Sequence, residues 1–131
     1  MPIVSTQITA GIRVNVITRF IEQESVAQTV RYVFAYQIEI KNESTDVVQL
    51  MAREWNIVDG YGQHSVVRGE GVVGRKPIIA PGESYKYVSG THFVTPIGRM
   101  SGHYKMKRIT DGEQIAVLIP EFTMAALGTL N

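Results

Sequence analysis

Residues Gly69-Glu70-Gly71-Val72-Val73-Gly74 carry the G-x-G-x-x-G spacing with which backbone amides cradle a phosphate. Arg68 precedes the run, and Arg75 and Lys76 follow it. Glycines that let successive N–H groups converge, between cations, make a candidate site for a sulfate, a phosphate or a partner's carboxylate. A dinucleotide site needs more. A helix must open directly after the loop, so that its N-terminus faces the pyrophosphate. Here Arg75-Lys76-Pro77-Ile78-Ile79-Ala80-Pro81-Gly82 follows. Two prolines with β-branched residues between them exclude that helix. Anion binding at Arg68, Gly69, Gly71, Gly74, Arg75 and Lys76 is therefore expected to be weak and salt-sensitive. The glycines serve equally well in a β-bulge or a tight crossover between sheets, where positive φ or close backbone approach is required. Both readings stand at this level.

A second cationic group has a period of two. Arg99, Ser101, His103, Lys105 and Lys107 share one parity, while Met100, Gly102, Tyr104 and Met106 share the other. In a strand this puts Arg99, His103, Lys105 and Lys107 on one face and the apolar set against the core. The run from Arg99 to Arg108 holds no acidic residue. It reads as a solvated outer face, or as a surface for an acidic or phosphorylated partner. Catalytic and metal chemistry find less support. His64, His92 and His103 show no H-x-H or H-x-x-x-H spacing, and no carboxylate set forms a calcium or magnesium loop. Ser65, Ser84, Ser89 and Ser101 lack a nucleophile elbow. No catalytic residue, metal site or cofactor is expected. Trp55, the sole tryptophan, reads as core, and Arg53 shares its parity. A buried arginine needs a partner, such as Glu70 or Asp59.

These residues sit in a chain whose dominant period is two. Ile12, Val14, Val16, Thr18 and Phe20 alternate with the opposite face in a segment from Ile8 to Phe20, which reads as one half-buried strand or as two joined by a bend at Gly11. Glu22 to Thr29 is polar and reads as a hairpin loop. Tyr32, Phe34, Tyr36, Ile38 and Ile40 share one face of the next strand. Asn42 to Asp46 is a turn by composition. Val47 to Val58 is a strand with a break near Arg53, and Asp59-Gly60 carries a tight-turn signal. Short strands follow at Ser65–Arg68, around Tyr85 and Tyr87, at Met100–Ile109, and at Ile115–Ile119, where Pro120 ends the last one. The closest approach to a helical window is Thr123 to Leu130. Seven to nine strands with regular turn signals point to an antiparallel all-β sandwich or barrel, and a sandwich of two antiparallel sheets is the expected fold. Phe34 or Tyr36, Trp55, Tyr87 and Tyr104 are expected in its core. The Ile8–Phe20 segment has two charges, Arg13 and Arg19, so as an exposed edge it would pair with a second copy to give a homodimer.

The chain has 131 residues, which predicts one domain over 1–131. It has no cysteine, which excludes disulfides, zinc–thiolate sites and thiol catalysis, and which fits a reducing compartment. No secretory signal or membrane-spanning run is evident. Net charge is +1, too small to imply nucleic acid as a partner.

Several phrases together carry a family resemblance. They are Tyr32-Val33-Phe34-Ala35-Tyr36 with Ile38-x-Ile40-x-Asn42, then Arg53-x-Trp55-x-Ile57-x-Asp59, and Val67-Arg68-Gly69-Glu70-Gly71-Val72-Val73-Gly74. Pro81-Gly82-Glu83-Ser84 with Tyr87-x-Ser89-Gly90, the Thr95–Met106 phrase and Ile119-Pro120-x-Phe122-Thr123 complete the set. Over almost the whole chain this resembles the bacterial ApaG proteins. The resemblance implies an immunoglobulin- or fibronectin type III-like sandwich and a cytoplasmic protein. It also implies a partner-binding role, since the same domain accompanies certain F-box proteins and a DNA-polymerase-interacting protein. It further implies an association with cobalt resistance and magnesium efflux. Glu54 stands where a histidine is common in the family, and Glu121 where a proline is common. A non-catalytic binding or adaptor module with an unknown protein partner is the expected function. The alternative is a nucleotide-, pyrophosphate- or divalent-cation-binding sensor or enzyme using Gly69–Gly74.

Overall fold

Alternation of apolar and polar residues forces one face of each strand inward, and two such sheets cover each other. The computed structural model describes residues 3–126. Its strands are β1 (Ile3–Thr9), β2 (Ile12–Val26), β3 (Thr29–Asn42), β4 (Val48–Asp59), β5 (His64–Glu70), β6 (Ile78–Ile79), β7 (Ser84–Phe93), β8 (Ile97–Arg108) and β9 (Gln114–Ala125). One antiparallel sheet has the order β1-β2-β3-β7, and the other β5-β4-β8-β9. β8 follows one edge of β4, while β5 and the short β6 share the other. The fold is a fibronectin type III-like sandwich.

The core fills the space between the sheets. Ile12, Val14 and Val16 of β2 face Phe34, Tyr36, Ile38 and Ile40 of β3 and, from the other sheet, Leu50, Trp55, Met100, Tyr104, Met106 and Phe122. Phe34 and Tyr36 are both buried, as are Trp55, Tyr87 and Tyr104. Trp55 packs edge-on against Phe122 and Tyr36, at centroid distances of 5.8 and 5.5 Å. Fully buried Asn42 pins the crossover from β3 to β4. Its Nδ2 donates to the carbonyls of Asp46 and Ile79, at 2.7 and 2.9 Å, while Oδ1 accepts from the Ser44 amide and hydroxyl.

Four local expectations change. Glu22–Thr29 is not a loop: β2 and β3 extend as a paired arm closed by Ala27 and Gln28 alone. Ladder hydrogen bonds and the Arg31–Glu24 ion pair hold its polar residues in strand geometry. Pro120 does not end the last strand. Between the pairs Met100↔Phe122 and Gly102↔Ile119, β9 has one residue more than β8, so Pro120 lies in a bulge where its missing N–H costs no ladder bond. Phe122 and Met124 beyond it are core, so Thr123–Ala125 is strand, while positions 127–130 of the near-helical window lie outside the described residues. β4 is continuous through Arg53, with its irregularity between Leu50 and Ala52. Finally, β2 lies between β1 and β3, and only Ile8 and Thr9 of the Ile8–Phe20 segment belong to the outer strand β1. Thr9 Oγ1 accepts from the Leu118 amide of β9, which draws that side of the sandwich together. Pairing with a second copy along Ile8–Phe20 loses its physical ground. On the opposite side, β7 and β5 are end strands of their sheets, and among the described residues no strand covers them.

Candidate functional site

The glycine run leaves β5 as a tight hairpin. Gly69 and Glu70 still pair with Arg53 and Ala52. Val72 and Arg75 then exchange both backbone hydrogen bonds, at 2.8 and 3.0 Å, around Val73 and Gly74 at φ 47° and 76°. Gly71 adopts φ +62°, and a Cβ there would stand 2.3 Å from the Arg75 carbonyl oxygen. The Gly71 amide donates to Met51 O at 2.9 Å. Amides of Gly71, Val72 and Arg75 thus bind carbonyls of the protein, whereas a phosphate cradle aims them at the ligand. Two flanking cations also have partners. Arg68 Nε lies 2.5 Å from Glu54 Oε1, and Lys76 Nζ lies 3.2 Å from Glu70 Oε2. Arg75 is exposed.

On the outer face of β8, Arg99 and Lys105 are exposed while His103 and Lys107 are half-buried. Strand pairing adds what the linear sequence hides. Glu54 of β4 lies opposite both His103 of β8 and Arg68 of β5. Its second oxygen is 3.7 Å from His103 Nδ1. The Arg68 hydrogen bond above all, then the charges of Arg68, His103 and Lys105, holds the Glu54 carboxyl below its ordinary range. The basic face therefore has a carboxylate in its middle. His64 and His92 line one shallow cleft with Asp59 and Ser65, while His103 lies apart from them. Asp59 Oδ1 there already accepts the amides of Tyr61 and Gln63. Among the described residues, no group of three or more His, Cys, Asp or Glu is placed to hold a metal ion.

A different constellation assembles between the sheets on the open side. A cleft of about 370 Å³ is walled by Tyr36, Tyr87 and Ser89 from one sheet and by Arg53, Trp55 and Val67 from the other, with Val72 and Val73 at its hairpin rim. Arg53 finds its partner in Glu70, though through the backbone. Its Nη1 donates to the Glu70 and Gly71 carbonyls at 3.1 and 2.9 Å. A Cβ on Gly69 would stand 2.7 Å from that Nη1, so glycine is what admits the guanidinium. Behind the cleft, Tyr87 and Tyr104 share a buried hydroxyl–hydroxyl hydrogen bond of 2.5 Å that joins the sheets. Burial pushes both phenols well up, and Tyr36 up as well. Phenols so shifted stay protonated near neutrality, and among the described residues lining the cleft there is no Asp, Glu, His or Lys to serve as a base. What it offers is one cation among aromatic walls. Sequence reasoning missed it because its parts come from β3, β4, β5, β7 and the hairpin. Its one signal was the shared parity of Arg53, Trp55 and Ile57.

The family model described as "ApaG domain" matches residues 22–108. Protein ApaG of Methylobacterium sp. (strain 4-46) is 49% identical over 116 residues, covering 88% of each chain. A solved structure of the putative ApaA protein from Bordetella pertussis superposes with a TM-score of 0.82 at 38% identity, over 95% of this chain and 97% of that one. An X-ray structure of a structural-genomics target superposes with a TM-score of 0.88 at 41% identity, over 92% and 91% of the two chains.

Proposed function

The chain belongs to the ApaG family, and from that premise we propose that it is a non-catalytic binding module that takes a protein partner on the open side of its sandwich. The observation carrying this reading is the Arg53 cleft, which lies between the sheet edges left open and is rimmed by exposed apolar residues. Val67 and Val73 are 43% and 63% exposed beside it. Apolar side chains around one cation are what a binding surface offers, and a nucleophile with its base is what it lacks. The association of the family with cobalt resistance and magnesium efflux is read as acting through the partner, in the cytoplasm.

The test is capture from lysate with the chain and with its Val73→Asp variant, both folded by thermal unfolding. A partner identified on the first, lost on the second and rebound when purified supports the reading. Retention on both places the working surface elsewhere. The exposed Arg75 at the hairpin tip favours one second reading, a weak nucleotide or pyrophosphate sensor. Titration calorimetry with ATP, pyrophosphate, magnesium and cobalt tests it. Micromolar binding lost in Arg75→Ala with Lys76→Ala, and turnover of the nucleotide, would favour that reading over the adaptor.

A further inference from the structure

Among the described residues, four arginines are half-buried, and three of them have a carboxylate. Arg13 pairs with Glu43, Arg31 with Glu24, and Arg108 with Asp46, Asp111 and Glu113. Arg53 is the fourth, and its hydrogen bonds go to two neutral carbonyls through Nη1 alone. A guanidinium presents five N–H donors in a fixed fork, and a carboxylate matches two of them at once. We propose that Arg53 is the reader of an acidic side chain, carried by an extended peptide segment that adds as a strand to the free edge of β7.

Three observations fix the chemistry of that occupant. Charge comes first. A half-drawn-out cation without a counter-ion gains most from one opposite charge. Arg53 is the one cation among the described residues that line the cleft, and of the cations on the adjoining hairpin Arg68 and Lys76 lie on Glu54 and Glu70, so the cleft matches a single carboxylate better than a phosphate dianion. Preorganisation comes second. The Glu70 and Gly71 carbonyls hold the guanidinium before any ligand arrives, which lowers the ordering cost of binding. Backbone comes third. Among the described residues, β7 pairs only with β3, and Ser84–Phe93 has no proline and makes no further backbone hydrogen bond across its other edge. Ser89, Gly90 and Thr91 of that strand line the cleft, so a segment paired there delivers alternate side chains into it. An acidic residue reaching Arg53 then has its same-face neighbour, two positions away, against the exposed Val73 of the rim. The occupant is an acidic-x-apolar strand.

This inference rests on the binding-module reading, and the experiment separates the two. Random peptides are selected by display on the immobilised full chain, and a selected peptide is titrated by fluorescence anisotropy. The expected consensus contains Asp or Glu two positions from an apolar residue. Replacing that acid by its amide weakens binding by about tenfold or more, the size of a hydrogen bond between charged groups. Arg53→Met gives a similar loss and is insensitive to the amide replacement, and Arg53→Lys recovers part of it. Hydrogen exchange slows at the amides of β7 when peptide is bound. If Arg53→Met does not fold, the amide replacement on the unaltered protein decides alone. Selected peptides without an acid, or an acid whose neutralisation changes nothing, overturn the proposal, as does selection of none. In each case the binding module survives if a partner is still captured in a Val73-sensitive way, and falls if none is.

Discussion

At the scale of single residues, the clearest energetic statement concerns Tyr87 and Tyr104. Each buried hydroxyl satisfies the other across the sandwich. Tyr104→Phe leaves the Tyr87 hydroxyl buried without its partner and is expected to cost about 1–3 kcal/mol in denaturant unfolding. Replacing both by Phe should restore most of the loss, because neither polar group then remains to be desolvated. A double variant no better than the single one would show that packing, not the hydrogen bond, sets the cost. The hairpin glycines give a second contrast. Gly71 and Gly74 both have positive φ, but only Gly71 also has backbone where a Cβ would go, while nothing lies within 4 Å at Gly74. Gly74→Ala should therefore cost about 1–2 kcal/mol, the left-handed penalty alone. Gly71→Ala should cost clearly more and loosen the rim of the Arg53 cleft. Equal losses would mean that the hairpin relaxes around the clash.

At the scale of elements, the arm made by the outer halves of β2 and β3 carries its own weak point. Ala27 and Gln28 form its turn at φ 49° and 65°, positions that Asn and Gly fill with less strain. Ala27→Asn with Gln28→Gly should stabilise the arm by about 1 kcal/mol. Because the arm is mostly exposed, the gain should show in slower amide exchange from Glu22 to Val33 and little in global unfolding. Unchanged exchange there would mean that the turn does not limit opening of the arm.

The whole molecule should show two pH limits of different origin. Glu43, Glu54 and Asp111 have carboxyls lowered chiefly by Arg13, by Arg68 and by the Glu113 backbone amide respectively. Depressed folded values mean stability present above their ordinary values of 4.5, 4.5 and 3.8, and lost as pH falls through the folded ones. The melting temperature should hold down to about pH 4.5 and fall below it, with Glu43→Gln plus Glu54→Gln flattening the decline. The buried phenols act at the other end. Their raised folded values mean stability complete below the ordinary value of 10 and lost as pH rises beyond it. Each should contribute a slope of about 1.4 kcal/mol per pH unit above pH 10. The Tyr87→Phe, Tyr104→Phe pair should be flatter there. A parallel alkaline decline in both proteins would assign it to the lysines instead.

Features that depend on local pattern were legible in the order of the amino acids. Two-residue alternation in β2, β3 and β8 named the buried faces, because a pleated strand has only two sides. The Asn42–Asp46 turn and the missing helix after Gly74 followed from residue chemistry alone. Tertiary structure decided whatever depends on which strands are neighbours. Nothing near Glu54 in the chain announces that Arg68 and His103 flank it, since both contacts cross strand pairings. Pro120 reads as a terminator until β8 supplies the register in which a bulge absorbs it. The polar Glu22–Thr29 stretch became paired strand because each half is held by the other. The glycine run is the sharpest case. Its spacing predicts an anion cradle or a structural turn, and only the paths of β4 and β5 show its amides bonded to carbonyls. The same pairing places Gly69 and Glu70 against Arg53. The cation that matters was thus fifteen residues or more from the motif, held on its carbonyls and facing a cleft that exists only once the sheets have closed.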